Sequence, residues 1–336
     1  MERHWSDYCG LSLVHFLAFP ECGSGDGEIL KTIESIAFDP FFSGIEISRI
    51  NDPGTRKRVA QLIEQTRCNV DFGVHPVILG NKLNLNSLDS NERNQACKSL
   101  EPYIDQAAEL GAKRFVLLSG PDPGEAQRAE AVKVLAESLR CLCESAQARG
   151  LSVVLETFDR TVEKKALIGP AEEAAALAAA LQVDFPSFGL LYDHAHGVLL
   201  DETPLAALSI LKNHLVHVHV GNCVKVPGRA SYGDSHPRFG FPGSENDIPQ
   251  LTEFLCALLT MGYLEKDRPL HKRRNVGFEV KPQPGESSAA ILANIKRAWT
   301  DAWTQLRFSH AEHLKPSQSA RAEDRELYSG ALGGGA

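Results

Sequence analysis

Apolar segments of strand type alternate along the chain with amphipathic segments of helix type. The strand-like segments cover residues 10–20, 44–50, 69–76, 113–120, 151–158, 188–193, 215–220 and 275–281. Segments with apolar residues at helical spacing follow them at 27–38, 55–67, 90–110, 125–149, 170–181, 204–213, 247–263 and 287–306. Strands separated by helices pair in parallel through crossover connections. Eight such units predict an α/β protein with a single (β/α)8 TIM barrel.

The domain organisation follows from where this alternation stops. No composition change interrupts residues 1–308, and we predict that they form one barrel domain. The alternation of strand-like and helix-like segments stops after Phe308, and the sequence ends with the low-complexity stretch GALGGGA. Residues 309–336 are therefore predicted to be a disordered or extended C-terminal tail. The glycine fingerprint of a dinucleotide-binding sheet is missing from the sequence, which argues against an open doubly wound fold.

Composition narrows the class of protein. The chain has 336 residues, 43% of them hydrophobic, which is enough for a large core. Its net charge of −8 argues against broad nucleic-acid binding, which depends on neutralising phosphates. No apolar run approaches the length of a membrane span, and the polar start lacks the order of a signal peptide. Eight cysteines without a CxxC pair are interpreted as reduced thiols, so a cytoplasmic protein is expected.

Acidic and imidazole side chains end four consecutive strand-like segments. They are Glu156, Asp193, His219 and Glu279. Carboxyl ends of parallel strands form the active face of a barrel, and a buried carboxylate is costly unless it is paired or binds a cation. A single such residue is often only a salt-bridge partner or a hydrogen-bonded core residue. Together the four predict a site for one divalent ion, with Mn²⁺ favoured and Mg²⁺, Co²⁺ or Zn²⁺ as alternatives.

Further polar residues surround this predicted site. His217 shares the inward face of its strand with His219 but lies one layer deeper, where we expect a hydrogen bond only. A long loop, residues 223–246, is expected to cover the site as a lid, with aromatic residues that either contact the substrate or pack on the barrel rim. These aromatic residues are Tyr232, Phe239 and Phe241. The residues predicted to contact the substrate are His75, His196, Asp234, His236 and Lys281.

Four motifs carry a resemblance to a known superfamily. LETFD contains Glu156, DHAH contains Asp193 and His196, HVHVGN contains His219, and GFEVKP contains Glu279. Over residues 10–306 the chain resembles the xylose isomerase-like barrels, which include sugar isomerases, ketose epimerases, inosose dehydratases and AP endonucleases. The resemblance implies that the four strand-end residues bind one divalent ion. It also implies that Glu156 and Glu279 exchange the substrate proton.

A second set of motifs is similar to the AP endonuclease members. GVHPVILGNKLNLNS contains His75, and an Asp-x-His pair, Asp234 and His236, is followed by RFGFPGS. Those enzymes hold three metal ions, but they have a histidine where this chain has Ser119. We therefore expect these residues to face the substrate, with a second metal ion as the alternative.

The preferred function is a metal-dependent sugar isomerase or epimerase that removes a proton next to a carbonyl group. A metal-dependent deglycosidase or lyase acting on 3-oxo-C-glycosides, with a small partner subunit, is the first alternative. An AP-endonuclease-like phosphodiesterase and a non-catalytic binding barrel are the others. The expected substrate is a small carbohydrate, and the expected assembly is a homo-oligomer.

Overall fold

A computed structural model describes residues 4–266, 268–269 and 273–313. Its eight strands close into a parallel barrel in which each strand pairs with its neighbours in chain order. The strands are β1 (Cys9–Val14), β2 (Gly44–Ile47), β3 (Asn69–Gly73), β4 (Arg114–Leu118), β5 (Ser152–Glu156), β6 (Gly189–Asp193), β7 (Leu215–Gly221) and β8 (Arg274–Glu279). The predicted (β/α)8 barrel is confirmed.

Helices surround the barrel and cover its outer apolar face. They are α1 (His15–Ala18), α2 (Ile29–Ala37), α3 (Pro53–Thr66), α4 (His75–Gly80), α5 (Ser90–Glu109), α6 (Glu125–Gln147), α7 (Ala171–Gln182), α8 (His194–Leu199), α9 (Pro204–Leu211), α10 (Ile248–Thr260) and α11 (Ser288–His313). Among the described residues, no helix is long and apolar enough to cross a membrane.

Most predicted strands extend a few residues beyond the observed ones, and two of them include a short helix at the mouth of the barrel. The segment 10–20 leaves the sheet at Val14 and forms α1, while the segment 69–76 leaves it at Gly73 and forms α4. A short apolar run does not distinguish a strand from a buried helix by periodicity alone. His75 consequently begins a helix and does not end a strand.

The chain end also differs from the prediction. The last helix was predicted to end at residue 306, but α11 continues to His313. Residues 314–336, which contain most of the predicted tail, lie outside the described residues.

The interior of the barrel contains both apolar and polar side chains. Strands β4, β5 and β6 contribute an apolar cluster of Val116, Val154 and Leu191. Buried polar residues also face the interior, and near the N-terminal ends of the strands Arg114 Nε of β4 lies 2.7 Å from Asp71 Oδ1 of β3. Barrel interiors are usually filled by branched aliphatic side chains. The buried polar residues are therefore an unusual feature of this interior.

Candidate metal centre and substrate cleft

The four strand-end residues predicted as metal ligands lie together. Glu156, Asp193 and Glu279 end β5, β6 and β8, and His219 lies two residues before the end of β7. One ligand atom from each falls within 4.8 Å of the others, and all four side chains are buried. His219 Nδ1 is 2.8 Å from Glu279 Oε2 and 3.5 Å from Glu156 Oε1. Since these strands are sequential neighbours, the closed barrel itself brings the side chains to one point.

The environment of these groups fits a divalent cation. In the described part of the chain, Oδ2 of Asp193 is buried without a hydrogen-bond partner, and Glu156 has only imidazole neighbours, with His75 Nε2 3.0 Å from its Oε2 and His219 Nδ1 3.5 Å from its Oε1. Burial raises the pKa of Asp193 to about 8, and the nearby Glu279 carboxylate acts in the same direction. Buried carboxylates this close to one another repel unless a cation or a proton lies among them. An oxygen-rich set with one imidazole is also a suitable donor set for Mn²⁺ or a similar ion.

Two strand glycines provide the space that the site requires. A Cβ atom on Gly277 of β8 would lie 2.7 Å from His219 Cδ2. A Cβ atom on Gly221, at the end of β7, would lie 2.8 Å from His236 Nδ1 and 2.9 Å from the Glu279 carbonyl oxygen. Both contacts are shorter than real side chains allow, so the positions of the two imidazoles depend on the absence of a side chain at these points.

A second polar cluster is centred on Asp234, in the loop after β7. Its Oδ1 is 2.9 Å from His236 Nε2 and 3.1 Å from His196 Nε2, and its Oδ2 is 3.1 Å from Lys164 Nζ. Burial alone would raise the pKa of Asp234, but His196 and His236 outweigh it and hold this pKa well below its usual range. His196 Nδ1 is 2.8 Å from the Thr157 carbonyl oxygen, which fixes the direction of its ring.

Four of the five residues predicted to contact the substrate line a large cleft at this face of the barrel. They are His75, Asp234, His236 and Lys281. The fifth, His196, is fully buried and is not part of the cleft lining, because the Phe158 ring covers it at a centroid distance of 4.1 Å. His196 contacts Asp234 and Glu156 from beneath the cleft, and one of its ring nitrogens also lies within 4.8 Å of ligand atoms of Asp193, His236 and Glu279.

The cleft has a volume of about 1170 Å³ and combines a polar floor with an apolar rim. Phe16, Leu17, Leu79 and Tyr232 contribute to the rim, and the side chains of Leu79 and Tyr232 are 45% and 40% exposed. The other two aromatic residues of the predicted lid are placed differently.

Phe239 is buried in the core at 1% exposure. Phe241 lies beneath the Arg238 guanidinium, with 5.8 Å between Cζ and the ring centroid. Of the three aromatic side chains in this loop, only Tyr232 is therefore positioned to touch a ligand.

Sequence reasoning missed one acidic residue of the site, Glu46 in β2. Its Oε2 lies 3.1 Å from His219 Nε2, and its side chain is buried. The available signal was the pattern GIEI, in which a carboxylate interrupts an apolar strand. Glu46 lies one position before the end of β2, so a search limited to the last residue of each strand does not find it.

Comparison with known proteins gives a family and several similar folds. The model of the xylose isomerase-like TIM barrel family matches residues 35–269. Comparison with curated proteins gives no match.

Among solved structures, an L-ribulose 3-epimerase has a TM-score of 0.70 at 18% identity, covering 92% of this chain and 99% of its own. A 3-keto-D-glucoside 4-epimerase from E. coli has a TM-score of 0.59 at 17% identity, covering 87% and 98%. The IOLI protein, solved with a zinc atom, has a TM-score of 0.66 at 14% identity, covering 88% and 98%. These similarities establish a common fold. Since the family model covers most of the sequence, the chain belongs to the xylose isomerase-like TIM barrel family.

Proposed function

We propose that the protein is a divalent-metal-dependent sugar isomerase or epimerase that moves a proton on a carbon next to a carbonyl group. The observation that carries this proposal is the pair of buried glutamates, Glu156 and Glu279, on either side of His219 Nδ1. The solved epimerases with the same fold support the same class of reaction.

The metal ion would be held by Glu156, Asp193, His219 and Glu279. When bound, it would supply Lewis-acid polarisation of the substrate carbonyl group, which makes the neighbouring C–H bond more acidic. The Mn²⁺ ion is the preferred candidate for this oxygen-rich set, while the zinc atom in the IOLI structure supports Zn²⁺ as an alternative.

The two glutamates would transfer the proton. One glutamate, as the carboxylate, removes the proton from the carbon beside the carbonyl group, which leaves an enediolate. The other glutamate, as the carboxylic acid, donates its proton to the opposite face or to the adjacent carbon, so the two glutamates exchange protonation states. The arrangement around Asp234 would orient the substrate hydroxyl groups, because His236 and Lys164 are N–H donors on the cleft lining. Phe16 and Phe158, which lie on the same lining, would exclude water from the reacting carbon.

Elemental analysis of the purified protein, followed by assays of the metal-restored enzyme, tests this proposal. The substrates would be free ketoses, inososes, 3-oxo-glycosides and abasic DNA, in D₂O so that solvent deuterium reports proton exchange at carbon. Glu156→Gln and Glu279→Gln should each lower kcat by about 10²- to 10⁴-fold. Glu21→Gln is the matched control, since Glu21 lies on the cleft lining away from the four strand ends. If both active-site variants kept bound metal and normal turnover, the assignment of these glutamates would be wrong.

The size of the cleft favours a second candidate, a lyase that removes the aglycone from an oxidised glycoside. Ligand pockets for drug-sized molecules are roughly 300–1,000 Å³, so a cleft of about 1170 Å³ has space for more than one sugar ring. The apolar rim would suit a flat or apolar aglycone, and one of the solved proteins with the same fold is a 3-keto-D-glucoside 4-epimerase.

The same first step, removal of a proton beside the carbonyl group, would serve both reactions. Product analysis distinguishes them, because a lyase releases a free aglycone and an epimerase releases only a stereoisomer. Co-purification of a small second chain would favour the lyase.

A further inference from the structure

Below the four strand-end residues, a buried carboxylate contacts the only imidazole of that set from the opposite side. Glu46 Oε2 lies 3.1 Å from His219 Nε2, although the two residues are 173 positions apart in the chain. The side chain of Glu46 is 2% exposed and that of His219 is 1% exposed. The two ring nitrogens of His219 therefore face different groups: Nδ1 faces Glu156 and Glu279, and Nε2 faces Glu46.

This arrangement distinguishes the two ring nitrogens of His219 once a cation is bound. A neutral imidazole has one N–H donor and one lone pair, whereas an ionised carboxylate only accepts hydrogen bonds. Nδ1 lies 2.8 Å from Glu279 Oε2, among the other residues that would bind the ion, and Nε2 lies 3.1 Å from Glu46 Oε2. When a cation takes the place of a proton on Nδ1, the remaining ring proton lies on Nε2, where Glu46 accepts it. Metal-binding histidines commonly donate their second N–H to a carboxylate, which orients the ring and raises its basicity.

Neighbouring residues support this role of Glu46. Asp71, the other carboxylate in this part of the barrel, is engaged by Arg114, whose Nη2 lies 2.5 Å from Asp71 Oδ2. His217 Nε2 is 3.9 Å from Glu46 Oε2, which is too far for a hydrogen bond. Gly73 makes space for the carboxylate, because a Cβ atom there would lie 2.5 Å from Glu46 Oε1 and 2.9 Å from the Phe16 ring.

We propose that Glu46 is the positioning residue of the metal centre, which holds His219 in the Nε2–H tautomer and aims Nδ1 at the bound ion. The inference rests on the proposed metal site, and it adds a residue outside the four ligands whose loss weakens metal binding. It does not make Glu46 a ligand, so the protein should bind the same number of ions with and without it.

The test is a titration of the metal-free full chain with Mn²⁺, in which free Mn²⁺ is measured by electron paramagnetic resonance. Glu46→Ala should weaken Mn²⁺ binding by about 10- to 100-fold at unchanged stoichiometry. Glu46→Gln should weaken it less, because its amide oxygen still accepts a hydrogen bond. Ser48→Ala is the matched control, since Ser48 is buried two positions further along the same segment and its hydroxyl has no partner among the described residues.

Histidine ¹⁵N resonances separate positioning from a merely structural role. In the Zn²⁺-loaded wild type, His219, assigned with a His219→Gln variant, should bind the ion through Nδ1 and carry its proton on Nε2, and this single binding mode should be lost in Glu46→Ala. If Glu46→Ala does not fold, Gly73→Ala decides, because the new methyl group must displace the Glu46 carboxylate and should also weaken Mn²⁺ binding.

Three results would overturn the inference. Binding in Glu46→Ala and Glu46→Gln within twofold of wild type would remove the positioning role alone and leave the proposed function intact. Loss of a whole equivalent of Mn²⁺ in Glu46→Ala would make Glu46 a ligand. A wild type that binds none of Mn²⁺, Co²⁺ and Zn²⁺ would remove the proposed metal site and this inference together.

Discussion

Substitution of Gly277 by alanine tests the geometry of the proposed metal centre without replacing any of the residues that would bind the ion. Gly277 pairs with His219 across β7 and β8. Its φ is not in the left-handed region, so alanine brings no backbone strain. The added Cβ would lie 2.7 Å from His219 Cδ2, where ordinary contact begins at 3.4 Å, so the ring must retreat by about 0.7 Å. Metal–ligand distances vary by only about 0.2 Å, so a shift of this size would move Nδ1 out of bonding distance of the ion.

The expected result is a loss of metal affinity in a protein that still folds. We expect the dissociation constant for Mn²⁺ to increase by at least about tenfold. Overpacking should lower the free energy of unfolding by roughly 1–3 kcal/mol. Mn²⁺ titration and chemical denaturation of the metal-free protein measure the two effects separately. Gly80→Ala is the control, because no described atom lies within 4 Å of its added Cβ. Wild-type Mn²⁺ affinity in Gly277→Ala would refute this reasoning.

Three further predictions concern pH, the loop after β5 and the cleft rim. Because the pKa of Asp193 is raised to about 8 without metal, Mn²⁺ must displace its proton at lower pH. Affinity should therefore fall as pH is lowered from 8 to 6, by about tenfold per unit for one displaced proton, and a pH-independent titration would contradict this. Asp159→Ala removes a carboxylate that accepts hydrogen bonds from the amides of Val162, Glu163 and Lys164. It should cost about 3 kcal/mol in chemical denaturation, and a cost below about 1 kcal/mol would be inconsistent with this role. Tyr232→Ala should raise KM by about three- to tenfold for 3-oxo-glycosides but leave free ketoses unchanged, and equal effects in steady-state assays would exclude Tyr232 from aglycone binding.

The order of the strands explains why the four strand-end residues were found from sequence. In a parallel barrel with crossover helices, neighbours in the chain are neighbours in space, and every carboxyl end faces the same side. Residues that end β5, β6 and β8 must therefore converge once the barrel closes. The same reasoning places His219 beside them, because β7 lies between β6 and β8.

Other features of the site do not follow from strand order. The hydrogen bond between Glu46 and His219 crosses the barrel interior, and it depends on the side-chain torsions of both residues and on the space left by Gly73. The contact of Lys164 with Asp234 joins two irregular loops, which no periodic pattern describes. The packing of the Phe158 ring over His196, which buries the imidazole, also depends on tertiary structure.

By itself the sequence determined the barrel and the residues at the C-terminal ends of its strands. Hydrophobic periodicity is a local property, and right-handed crossovers place sequential strands side by side. Tertiary structure decided the shape and size of the cleft, the exposure of Tyr232 and the burial of Phe239. It also decided that Glu46 Oε2 lies 3.1 Å from His219 Nε2. These outcomes depend on how distant side chains pack and on where each ring or carboxylate finds space, which is information that no local pattern along the chain contains.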